Sequence, residues 1–233
     1  MDQRFPESQG SGAGRSTPSA AYPLVLTNLA RVRCIVVGGG AVAERKVRDL
    51  IAGGARPQVI SPALTAALAG LRAAGQIEHL ARTYRPGDLE GAFLAIAATD
   101  DRAVNAAVAE EGARRGILVN VADNPAAGNF HTAAAVRRGD LLLAVSTGGA
   151  SPALAARIRR ELGSRYGEEY ARLLDLLRAL RDGPARALPP ARRALLWQRL
   201  TSEPVLSWLQ SGEVEQVVVY AHEQIADLLS SEC

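Results

Sequence analysis

Cysteine is nearly missing from this chain. Only Cys34 and Cys233 occur, too few for a disulfide framework and in no spacing that would hold a metal. That usage suits a reducing compartment, so a cytoplasmic protein is expected. Histidine is scarce as well, with 3 among 233 residues, and no His/Cys/Asp/Glu cluster with ligand spacing is visible; no metal site is expected. Lys46 is the only lysine. The positive charge is otherwise arginine, spread along the chain, and the net charge is only +3. With aromatic residues at 4%, there is no interleaving of basic and stacking side chains of the kind that binds nucleic acid. A mildly basic cleft suits a small polyanion instead. No apolar run approaches the roughly 20 residues of a membrane span, so no membrane partner is expected. Residues 1–21, rich in Ser, Gly, Pro and Gln, lack the apolar stretch of a secretory signal and read as a disordered tail.

What is there starts with RVRCIVVGGGAVAERKVRDLIAGGARPQVIS, residues 31–61. The β-branched run at 34–37 stops at Gly38, Gly39 and Gly40, and a helical pattern begins at once. A short apolar run ending in glycines and opening a helix is the strand, turn and helix of a dinucleotide-binding βαβ unit. Gly38 suits the tight turn, Gly40 lets backbone approach a pyrophosphate, and Ala43 stands where helix and strand pack closely. The N–H groups of Ala41, Val42 and Ala43 head the helix and are the expected phosphate donors. A plain strand-to-helix connection uses the same glycines, but the surrounding βαβ context favours the cofactor. The second strand, at 57–60, ends in Ser61, Pro62 and Ala63, where an acidic residue would normally hold the ribose hydroxyls of NAD. Ribose recognition is therefore weaker here or comes from backbone, with Ser61, Pro62 and Ala63 the candidate contacts. NAD is the favoured cofactor, with NADP left open.

Alternation continues downstream: a helix near 64–74, a short strand at 76–81, an apolar strand from Phe93 closed by Thr99-Asp100-Asp101, a helix to Arg115 capped by one of the two aspartates, and a strand at 117–121. β-α-β-α-β implies a doubly wound parallel sheet whose ligands lie beyond the carboxyl ends of the strands. That edge collects the glycine turn, Ser61, Thr99 and Asp123. From Asn129 the texture changes. Runs at 130–136 and 141–146 flank Arg137-Arg138-Gly139-Asp140 and read as a hairpin. STGGASP, residues 146–152, then opens a helix with Ser151 as N-cap and Pro152 at its first position. The remainder has helical period, broken at Gly183-Pro184 and Pro189-Pro190, with β-prone Val217 to Val219 inside the last segment.

Four ordered segments, GGGAVAERK, AIAATDD, NVADNP followed by NF, and AVSTGGASPALA, resemble the precorrin-2 dehydrogenase and sirohydrochlorin ferrochelatase family, including the N-terminal module of siroheme synthases. The resemblance runs over about residues 22–180. It implies NAD-dependent oxidation of precorrin-2 to sirohydrochlorin, in some members followed by insertion of ferrous iron, in a homodimer. It also implies an α/β architecture: a Rossmann domain at 22–128, a strand-containing dimerisation region at 129–163 and a helical C-terminal domain at 164–233. The methyltransferase domain of fused members is not expected. Asp123 matches the family's aspartate of proton transfer or chelation; by position alone it is a turn residue before Asn124-Pro125. Thr147 stands where some members have a serine that handles substrate, and keeps its hydroxyl. Asn129, His131, Ser146, Gly148 and Gly149 complete the expected tetrapyrrole contacts, beside the plainer reading of 146–150 as a glycine-rich connector. The rival from another class is a non-catalytic NAD-sensing module.

Overall fold

Every second residue of the first apolar run faces a different core, and this is what centres the sheet. The computed structural model describes residues 21–230, so residues 1–20 of the expected tail, and Cys233, lie outside the described residues. Strand β1 (Arg33–Val37) is buried on both faces from Cys34 onward. Cys34 and Val36 enter one cluster with Ala43, Val47 and Leu50 of α1 (Ala41–Ala52), while Ile35 and Val37 enter another with Val108 and Ala109 of α3 (Arg102–Arg115). A strand sandwiched between helix layers belongs to a parallel sheet, and each such Val or Ile side chain contributes roughly 1.5–3 kcal/mol through removal from water.

The sheet adds β2 (Gln58–Ile60), β3 (Glu78–Leu80), β4 (Ala92–Ala97) and β5 (Leu118–Val121), all parallel, in the order β3-β2-β1-β4-β5. Helix α2 (Ala66–Ala73) leads from β2 to β3, and α3 from β4 to β5. The doubly wound architecture expected from the alternation is therefore present, and the winding reverses between β1 and β4. Among the two candidate aspartates, Asp101 is the N-cap of α3, its carboxylate accepting from Ala103 and Val104 N–H at 2.9 and 3.3 Å.

One buried carboxylate pins the far side of this unit. Glu111 of α3, 3% exposed, accepts from the Tyr84 hydroxyl, from Gly87 and Leu89 N–H at 2.9 and 3.3 Å, and from Arg115 Nε at 2.7 Å. Burial alone would push its carboxyl up; these four donors overcome it and hold the group below its ordinary value. Burial and the adjoining carboxylate together push the Tyr84 phenol up.

Backbone contacts divide the chain into two units, one ending at His131 and one beginning at Thr132. The second opens with the expected hairpin, β6 (Ala134–Arg138) antiparallel to β7 (Leu141–Val145), followed by α4 (Pro152–Arg165), α5 (Glu169–Asp182), α6 (Pro190–Leu200), α7 (Glu203–Ser211) and α8 (Val214–Ser230). The hairpin belongs to the same unit as the later helices, with Asp140 of its turn paired to Arg178 of α5. The β-prone valines near 217–219 lie within α8, because Val217, Ala221, Ile225 and Leu228 repeat at helical spacing and are all buried. That shared apolar face outweighs local strand propensity. No helix among the described residues is long and apolar enough to cross a membrane.

Candidate functional site

Four strand ends come together at the carboxyl edge of the sheet. Ala98 N–H bonds Val37 C=O at 2.8 Å, Ala122 N–H bonds Ala97 C=O at 2.9 Å, and Gly38 N–H bonds Ile60 C=O at 2.9 Å. The pairing thus continues to the last residues of β1, β2, β4 and β5. The loops leaving them, with Gly38 to Gly40, Ser61 to Ala63, Thr99 and Asp123, emerge side by side. In open α/β sheets this margin, where the winding reverses, is where ligands bind.

The glycines there differ in kind. Gly38 has φ +124°, and a Cβ on it would stand 2.2 Å from the Ala98 carbonyl oxygen; a Cβ on Gly39 would stand 1.9 Å from that of Ala63. Those two serve the fold. Gly40 has an ordinary φ of −85° as the N-cap of α1, and a Cβ there would meet nothing within 4 Å. No contact among the described residues requires glycine at this position. The first bond of α1 runs from Glu44 N–H to Gly40 C=O at 2.9 Å, so the amides of Ala41, Val42 and Ala43 precede any intrahelical acceptor. Ala41 and Val42 are exposed, and Ala43 is fully buried against the strand as expected of the small third position. An open cradle, amides heading a helix and its positive dipole end fit a pyrophosphate, and these residues fit a dinucleotide.

Ser61 is 8% exposed. Its hydroxyl donates to Ala63 C=O at 2.7 Å, and its own carbonyl lies 2.9 Å from His79 Nε2. The side chain shapes the loop of exposed Pro62 and Ala63 rather than standing where a ribose carboxylate would. The loop is braced further on: Thr65 N–H bonds Gly39 C=O at 3.0 Å, while Thr65 Oγ1 caps α2 by accepting from Leu68 N–H at 3.2 Å and donates to Glu44 at 2.8 Å. Hydrogen bonds from Thr65 first, then from Arg48, hold the Glu44 carboxyl below its ordinary value.

Between β4 and β5 the structure ties Thr99 to Asp123 through Asn105, a residue sequence reasoning missed. Asn105 lies in the first turns of α3 and is 2% exposed. Its amide donates to Thr99 C=O and to Asp123 Oδ1, both at 2.9 Å, and its oxygen accepts from Thr99 N–H and Thr99 Oγ1 at 3.2 and 2.9 Å. An asparagine inside a helix, a residue type that favours caps and turns over helix interiors, was the signal. Asp123 itself is exposed.

Of the expected substrate contacts, Asn129 has both polar atoms engaged within its own unit. It accepts from Val119 N–H at 2.7 Å and donates to Ile117 C=O at 2.9 Å, pairing with the outer edge of β5. His131, the last residue of the first unit, is exposed. Ser146, Thr147, Gly148 and Gly149 lie in the second unit, in the turn before α4. Thr147 Oγ1 donates to Ser151 C=O at 3.1 Å and accepts from Ser151 N–H at 3.2 Å, Ser146 Oγ accepts from Gly148 N–H at 3.2 Å, and Ser151 Oγ caps α4 at Leu154 N–H, 3.2 Å. Among the described residues no group of three or more His, Cys, Asp or Glu is placed to hold a metal ion.

Comparison with known proteins agrees with this division of the chain. Residues 25–134 match the family described as putative NAD(P)-binding, and residues 138–165 match the sirohaem biosynthesis protein central family. Siroheme synthases of Chromobacterium violaceum and Thioalkalivibrio sulfidiphilus are similar, 40% identical over 193 residues and 42% identical over 180, covering 82% and 77% of this chain but 41% and 37% of theirs. The chain thus spans about two-fifths of the length of these relatives. Among solved structures, SirC, a precorrin-2 dehydrogenase, superposes with a TM-score of 0.71 at 29% identity, covering 87% of this chain and 100% of that one.

Proposed function

We propose that the chain is a precorrin-2 dehydrogenase related to the siroheme synthases, oxidising precorrin-2 to sirohydrochlorin with NAD as acceptor, a reading supported by its match to the putative NAD(P)-binding and sirohaem central families and by its likeness to SirC. One observation carries the reading: an exposed carboxylate, Asp123, follows β5 at the same sheet edge where the open cradle of Gly40 heads α1. When bound, the nicotinamide supplies a hydride acceptor. The amides of Ala41, Val42 and Ala43 would hold the phosphates, and Ser61, Pro62, Ala63 and Thr99 at the same sheet edge would contact the rest of the dinucleotide.

Dehydrogenation across a C–C bond takes one hydrogen from the macrocycle as hydride and releases another as a proton. Asp123 accepts that proton as general base, a role worth typically 10²–10⁴-fold in rate. In the second unit, the turn of Thr147, Gly148 and Gly149 is the candidate for binding carboxylates of a tetrapyrrole, and exposed His131 is a further candidate contact. A homodimer is the assembly expected with this reading, and sedimentation would test it.

The test is anaerobic turnover of precorrin-2 with NAD and NADP in parallel, following the near-ultraviolet absorbance of the reduced nucleotide. NADH formed in proportion to sirohydrochlorin supports the reading. A folded protein that binds NAD yet forms no NADH from authentic substrate overturns it in favour of a sensing module. Supplying ferrous iron afterwards and comparing siroheme formation with the spontaneous rate decides whether the chain also performs chelation.

A further inference from the structure

We propose that Asn105 is the positioning residue for the reacting carboxylate, holding Asp123 by one oxygen so that the other is presented to the substrate. The inference rests on the reading of Asp123 as the base and concerns a residue to which nothing above assigns a function.

The argument starts from the chemistry of a carboxamide, which has two N–H donors and an oxygen with two lone pairs. All four capacities are used here. Thr99 N–H and Thr99 Oγ1 both donate hydrogen bonds to the Asn105 oxygen, at 3.2 and 2.9 Å. Thr99 C=O accepts one from Nδ2 at 2.9 Å. A backbone donor and a backbone acceptor of the same residue thus grip the amide from both sides, and the amide cannot be turned over without setting donor against donor. Its last N–H is thereby committed in direction, and the group it meets is Asp123 Oδ1 at 2.9 Å.

Three of these bonds would suffice to secure the loop between β4 and α3. The fourth reaches to a residue beyond β5, 18 positions along the chain. Asn105 is 2% exposed while Asp123 is exposed, so the buried partner is the rigid one and the carboxylate is the one positioned. A hydrogen bond from a fixed donor removes rotamer freedom from an aspartate on a loop and so sets the direction of its free oxygen. The same amide fixes both chain ends of Thr99, so the strand end and the base are set by one side chain.

The test is a cycle of Asn105→Ala, Asp123→Asn and the double variant in the full chain, with anaerobic precorrin-2 turnover, NAD affinity and thermal midpoints measured for each. Asn105→Ala should lower kcat roughly tenfold to a hundredfold, as misplacement of a catalytic group does, and KM for the tetrapyrrole should change much less. In the Asp123→Asn background the same substitution should change kcat by less than about twofold. An equal loss in both backgrounds shows a merely structural role and overturns the proposal. If Asp123→Asn alone keeps full turnover, the base assignment has failed, a result distinct from an inert Asn105→Ala beside a crippled Asp123→Asn, which overturns this inference alone. Should Asn105→Ala not fold, the side-chain amide resonances of Asn105 in the native protein decide. They should move when Asp123 is replaced by Asn, and resonances that stay in place overturn the proposal.

Discussion

Thr65 and Glu44 are joined by a hydroxyl-to-carboxylate hydrogen bond of 2.8 Å that links the cap of α2 to the first turn of α1. The bond crosses under the glycine turn, since Thr65 N–H also holds Gly39 C=O at 3.0 Å. Thr65→Val removes the cap and leaves the carboxylate without that donor. A lost N-cap costs about 1 kcal/mol, and the thermal midpoint should fall accordingly. Because the Glu44 carboxyl is held below its ordinary value of 4.5, its stabilising effect is complete above that value and disappears as pH falls through the lowered one. The gap in midpoint between native and variant proteins should therefore be widest above about pH 5 and shrink in acid, leaving the cap's share. A gap that widens in acid contradicts the pairing.

Gly38→Ala and Gly40→Ala should part company. A methyl group on Gly38 strikes a backbone carbonyl at 2.2 Å with φ in the left-handed region, so the variant should lose about 3 kcal/mol or fail to fold. On Gly40 it meets open space at an ordinary φ. That variant should keep its thermal midpoint within a few degrees while NAD affinity falls at least about tenfold, equivalent to roughly 1.4 kcal/mol. Calorimetric titration beside a thermal scan measures both.

Glu111→Gln should be costly for stability. The substitution keeps the size of the side chain but sets a new NH₂ group among four donors, leaving buried partners unsatisfied at about 2–3 kcal/mol. Denaturant titration at neutral pH measures it. The native carboxyl lies below its ordinary value, so this stability too is present above the usual carboxylate range and drains away as pH falls through the lowered value. Native and variant proteins should converge in acid.

Asn129→Ala should weaken the outer edge of β5. It removes the acceptor of Val119 N–H and the donor to Ile117 C=O, and about 1–2 kcal/mol of stability with them. Amide exchange at Val119, read by NMR, should accelerate ahead of exchange at Val36 in the central strand.

Much of the first unit was legible in advance because its signals are local. Glycines after a β-branched run and an aspartate before a helical period act within a few residues, and the elements stand where those patterns put them. The contribution of Asn105 was not legible in that way. Its two partner residues, Thr99 and Asp123, follow different strands, and only the parallel register of β4 and β5 brings them within reach of one side chain. Ser61 shows the converse. Its place after β2 was read correctly as lacking an acid, but that its hydroxyl turns inward to Ala63 depends on how the loop closes over Gly39. The second unit yielded its helices to periodicity, and α8 most instructively, since a β-prone triplet there obeys a burial pattern spread over four turns.

The Asn129 carboxamide imitates a neighbouring strand, and that mimicry sets a limit on growth. A margin whose amide and carbonyl are already matched gives another polypeptide no ladder to climb, so sideways extension by a foreign ribbon is blocked on the β5 flank.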